Sequence, residues 1–187
     1  PYTIRKSRTG AILARLFGRT SSQLIGTQMI ALTKEMAERY AASIVSPAKQ
    51  NDEYRKLIRE YIITNMAPGP DGRRHRSLMM VFYGENARQE LSDIAGRLTI
   101  SAESGETIRN AYGDLVRNPD GSVRYFEPAV LISDPEVDSR QKVEMWIDLL
   151  SNQPALLDDV CHYENPGRVQ QTLVLIKPDS WRQRSAR

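Results

Sequence analysis

Thr172-Leu-Val-Leu-Ile-Lys-Pro-Asp179 reads as a strand, a run of aliphatic and β-branched residues, stopped by a proline and leading into a loop. The chain opens on a second version of the same loop. Pro1-Tyr2-Thr3-Ile4-Arg5-Lys6 echoes Pro178-Asp179-Ser180-Trp181-Arg182-Gln183, with Pro, a small hydroxyl residue, a bulky apolar residue and Arg in register. A self-match at a spacing of one domain points to a tandem protein. Residues 1–152 then form one domain that starts inside the motif, 153–169 a linker, and 170–187 the start of a second copy.

Composition narrows the class. The 187 residues fit one domain with a tail, and 40% hydrophobic residues can fill a core. There are 26 basic and 23 acidic residues, a net charge of +3, too nearly balanced to call for nucleic acid. Basic runs at Arg5-Lys6-Ser7-Arg8, Arg73-Arg74-His75-Arg76 and Arg182–Arg187 read as solvated loops. One cysteine, Cys161, excludes an internal disulfide and suits a reducing, cytoplasmic setting. No run of ~18 apolar residues is present, so no membrane span is expected.

Periodicity places the elements. Gly10 to Phe17 is a helix with Ile12, Leu13, Leu16 and Phe17 on one face, and Gln23 to Leu32 a strand. Thr33 caps a helix running to about Ser43. Asn51 to Asn65 is a helix with a Tyr54, Leu57, Ile58, Tyr61, Ile62 stripe. Ala67 to Gly72 is a loop, Ser77 to Tyr83 a buried strand, and Glu85 to about Leu98 a polar helix. Ser101 to Gly121 reads as a long structured loop, and Pro128 to Ile132 as a short apolar piece. Asp134 opens a helix with Trp146, Ile147, Leu149 and Leu150 packing inward, and Val169 to Ile176 is the last strand. Strands alternating with amphipathic helices predict a mixed α/β or α+β domain, with helices on a small sheet.

At this point the residues resemble the nucleoside diphosphate kinase family. Lys177-Pro178-Asp179 looks like that family's first strand and active-site lysine loop. Pro1 to Leu13 looks like its continuation in another copy. Gly84-Glu-Asn86 to Thr107-Ile-Arg109 follows the family pattern without a gap. So does Ala129-Val-Leu-Ile-Ser-Asp134 to Trp146, over the family's Val-His-Gly-Ser-Asp segment. The resemblance implies a ferredoxin-like α+β sandwich, a small antiparallel sheet with helices packed on it, that forms homo-oligomers. It also implies binding of nucleoside di- and triphosphates with Mg²⁺. In such enzymes a histidine takes the γ-phosphoryl group and hands it to a diphosphate, and phosphoryl transfer needs that nucleophile together with cations that neutralise the oxygens.

The histidine position falls on Leu131, which has no lone pair to attack phosphorus, and the following glycine is Ile132. The asparagine before it becomes Pro128, and the carboxylate that orients the histidine becomes Lys142, a reversal of charge. A phosphate-binding arginine falls on Ser92 and a threonine on Leu98, with Thr99 beside it. The aspartate of Lys-Pro-Asp becomes Tyr2 in the first copy. Asn118 to Phe126 is an insertion. Arg109 keeps its phosphate-binding chemistry, and Thr99, Ser133 and Lys177 complete the expected nucleotide-binding set.

The expectation is therefore a kinase-like domain without its catalyst, a structural or nucleotide-binding part of a tandem nucleoside diphosphate kinase. The alternative is an active kinase in which His75 or His162, both read as surface residues, supplies the nucleophile. The first strand is central in this fold. Gln170 to Ile176 has the character to replace it, within the same chain or in a neighbour by swapping.

Overall fold

A computed structural model describes residues 1–44, 53–96, 105–132, 139–151 and 164–170, with 172 and 174. After a single turn of helix, α1 (Tyr2–Arg5), comes α2 (Thr9–Arg19), which buries Ile12 and Leu16 from the expected stripe. Strand β1 (Gln23–Ala31) follows, and its inner end, Ile30 and Ala31, is almost fully buried. The Thr33 hydroxyl accepts from the Met36 amide at 3.2 Å, which makes Thr33 the cap foreseen for α3 (Lys34–Ile44).

The helix expected over 51–65 is interrupted. α4 (Glu53–Tyr61) passes into one π-helical turn, Ile62–Met66, which keeps Ile58, Tyr61, Ile62 and Met66 on the buried side. Strand β2 (Arg76–Tyr83) pairs antiparallel with β1, Gln23 opposite Tyr83 and Ala31 opposite Arg76, with a bulge between Leu24 and Gly26. Helix α5 (Ala87–Ala95) stops short of Leu98 because Gly96 takes a positive φ of 70°.

The stretch read as a long loop is the main departure from expectation. It holds the short helix α6 (Ile108–Tyr112) and strand β3 (Asp114–Arg117). The expected insertion forms a hairpin with β3, through β4 (Val123–Glu127). Its turn is built by Asn118-Pro-Asp-Gly-Ser122. The Asn118 amide donates to Ser122 O at 2.8 Å, the Gly121 amide donates to Asn118 O at 2.9 Å, and Gly121 supplies the positive φ of 84°. Asn-Pro-Asp-Gly carried that turn signal, but its flanking strands are too short for alternation to stand out.

α7 (Ser139–Ser151) sets Trp146 against Tyr40 of α3, ring centroids 5.0 Å apart, and buries Leu149. Ile147, expected inside, faces outward at 59% exposure. In the expected last strand, residues 169, 170, 172 and 174 take no strand pairing, and Val174 is 82% exposed.

The class is α+β, with antiparallel strands carrying helices, arranged among the described residues as two separate two-stranded ladders. Among the described residues the buried apolar side chains form two clusters. One gathers Ile30, Leu32, Met36, Ile58, Ile62 and Leu149 between β1, α3, α4 and α7. The other joins Ile12 and Leu16 of α2 to Ile94 of α5 and Ile108 of α6. Among the described residues no helix is long and apolar enough to cross a membrane.

Candidate functional site

Arg109 is the residue around which the expected site would be built, and the fold turns it inward. Thr107 caps α6, its side chain accepting from the Asn110 amide at 3.3 Å. That cap starts the helix so that Ile108 and Arg109 are both buried, Arg109 at 8% exposure. Its guanidinium bridges two chain segments. Nη1 donates to the Gly96 carbonyl at 2.6 Å, while Nε and Nη2 donate to the Val130 carbonyl at 3.3 and 3.2 Å. The group also lies 5.7 Å from the Tyr54 ring centroid, a cation–π contact. Gly96 suits this place twice over. Its φ is left-handed, and a Cβ there would collide with the Thr107 side chain.

The segment Arg109 holds leads to Leu131. Val130 closes a three-residue turn, its amide donating to Pro128 O at 2.6 Å, with Ala129 at a φ of 59°. The Glu127 carboxylate accepts from the Ala129 amide at 3.0 Å and from the Tyr61 hydroxyl at 3.0 and 2.9 Å. Glu127 is 4% exposed. Burial raises its pKa, against the opposing pull of the Tyr61 and Ala129 hydrogen bonds. Burial and the neighbouring carboxylate together push the Tyr61 hydroxyl upward as well. The pair is a buried strut for the turn. Sequence reasoning missed it, since a glutamate and a tyrosine 66 positions apart carry no shared local signal.

Leu131 faces a cavity of about 380 Å³. Lys142, Pro128 and Ile132, three more of the residues that depart from the family pattern, line it too. The expected neighbours of the histidine position thus meet around one space, whose walls are mainly apolar: Ile12, Leu16, Ile30, Met80 and Trp146. Lys142 is 6% exposed there. Thr99, Ser133 and Lys177, with His162, lie outside the described residues. His75 stands in the loop before β2, its pKa lowered by burial and by Arg5, and it does not line the cavity. Ser92, where the family has an arginine, sits near the end of α5, its carbonyl accepting from the Gly96 amide at 2.8 Å.

Among the described residues no group of three or more His, Cys, Asp and Glu is placed to hold a metal ion. An Mg²⁺ carried by a nucleotide would instead be held largely by phosphate oxygens. Comparison with protein-family models, curated proteins and solved structures finds no match to this chain.

Proposed function

We propose that this chain is a nucleoside diphosphate kinase-like domain that keeps the scaffold without the catalyst, and serves as a structural part of a tandem kinase. One observation carries the choice of a structural role over nucleotide sensing. The guanidinium matched to a phosphate ligand is instead spent on the carbonyls of Gly96 and Val130, tying α6 to the segment that bears Leu131. A phosphate would have to compete for this guanidinium with two part-buried carbonyls, each of which costs up to ~1–3 kcal/mol when left unpaired. The proposed partners are the second kinase-like copy and further copies of this chain. Nucleoside phosphates with Mg²⁺ act on the parent enzyme, and the lone Cys161 fits the cytoplasm.

Two measurements on the whole chain test this reading. Incubation with γ-labelled ATP and Mg²⁺ should leave no acid-labile, base-stable label. A phosphohistidine on His75 or His162 would establish the active-kinase alternative. Calorimetric titration with Mg²⁺–ADP should give no binding heat. Heat that disappears in Arg109→Lys, a variant that keeps the charge, would shift the assignment to nucleotide sensing.

A further inference from the structure

We propose that residues 170–176 of this chain dock as a strand on the open edge of β2, filling the cavity and joining the two apolar clusters into one core. The inference stands apart from the functional reading above. Six consecutive residues of β2, Ser77 through Phe82, line the cavity. Successive strand residues point to opposite faces, so a continuous run can line one space only where that space follows the strand's edge. β2 pairs with β1 along its other edge and bonds no further strand among the described residues. An edge of this kind accepts an added strand through its free N–H and C=O groups.

The position of the cavity states what its occupant must be like. Ile30, Tyr61 and Met66 of one cluster line it, and so do Ile12 and Leu16 of the other. A strand laid between them is covered on both faces. Strands covered on both faces are continuous apolar runs, whereas a half-solvated strand alternates. Leu173-Val-Leu-Ile176 is such a run, and its described member Val174 is 82% exposed. Chain length allows the match. Residues 152–169 separate the end of α7 from the run, and extended they reach ~60 Å, more than twice the length of an eight-residue strand. The sequence therefore supplies a run suited to a two-faced strand, and the fold a two-faced slot beside an open strand edge.

The test follows amide exchange by NMR on the full chain, against a full-length variant carrying Leu173→Asp and Leu175→Asp. The expected result is slow exchange at both sets of β2 amides, those bonded to β1 and those facing the cavity. In the variant the cavity-facing set should exchange at least a hundredfold faster, with protection restored by a synthetic peptide of residues 169–178. Should the variant fail to fold, docking is supported, because charges on an undocked tail have nothing to unfold. Identical exchange in the two proteins overturns the proposal. This protection should not change with protein concentration, whatever the number of copies that light scattering reports. A dimer whose protection is lost on dilution would mean that a second copy donates the strand, and would overturn docking within one chain.

Discussion

Ala129 holds a backbone conformation that favours glycine, with a φ of 59°, and Gly96 holds one that glycine alone fits well, with a φ of 70° against Thr107. A left-handed non-glycine residue costs ~1–2 kcal/mol, part of which glycine returns through its freer unfolded chain. Ala129→Gly should therefore stabilise by up to ~1 kcal/mol, seen as a higher urea midpoint at unchanged slope. Gly96→Ala should destabilise by ~2 kcal/mol or more, since strain and collision add. Glu90 makes the pH-dependent prediction at this scale. The Ser21 amide and the Thr20 and Ser22 hydroxyls all donate to its carboxylate and hold its pKa down to about 2, from an ordinary 4.5. A depressed acid stabilises the fold above its unfolded pKa and loses that contribution as pH falls through the folded one. Stability should thus fall between pH 4.5 and 2, and Glu90→Gln should flatten that limb while lowering stability at pH 7. The site is solvent-screened, so the neutral-pH loss should be about 1 kcal/mol at most. Thermal melts across the pH range would show either outcome.

At the scale of elements, α6 and the β3–β4 hairpin hold the candidate site together. Phe126 of β4 packs edge-on against Tyr54 and Tyr61 of α4, centroids 5.6 and 6.3 Å away, and Arg117 of β3 pairs with Glu53 at 2.9 Å. Tyr54 then meets Arg109, which reaches Val130. Arg109→Ala would orphan two carbonyls, and a loss of ~3 kcal/mol is expected, with Arg109→Lys recovering less than half because one ammonium cannot span both acceptors. Chemical denaturation of the two variants checks this, and a loss below 1 kcal/mol for Arg109→Ala would mean that the bridge contributes little. These elements also mark what the sequence could and could not convey. The long amphipathic pieces, α2, α3, β1 and β2, were legible because their apolar spacing repeats over eight residues or more. α6 has five residues and β3 four, too few for a period to register, and each is fixed by distant partners such as Arg8 donating to Tyr112 O. The outward Ile147 has a similar origin, since a helix stripe shows spacing but not which neighbour covers it. The resemblance gave Arg109 to the expected nucleotide-binding set and Leu131 to the histidine position, but whether the guanidinium faces a ligand or the backbone depends on the carbonyls of Gly96 and Val130, which lie outside Thr107-Ile-Arg109.

On the scale of the whole molecule, loss of phosphotransfer under the proposed reading is distributed rather than confined to Leu131. Catalytic groups that act as a unit are strongly non-additive, so replacing one restores little while the rest are absent. Around Leu131 the cavity presents the Lys142 side chain where an orienting carboxylate would be needed, Ile132 where the family has glycine, and Pro128, which has no amide to donate. A histidine placed there would sit in apolar surroundings beside a buried lysine, and both influences favour its neutral form while leaving its tautomer unfixed. The matched cation, Arg109, would still be holding Gly96 and Val130. Leu131→His should therefore accept no label from γ-labelled ATP. Adding Lys142→Glu, which restores the orienting charge, should still leave it unlabelled, because neither change frees a guanidinium to neutralise the phosphoryl oxygens. Acid-labile, base-stable label on the single variant would show instead that the scaffold has kept a working phosphate site, and that a missing nucleophile is its sole defect.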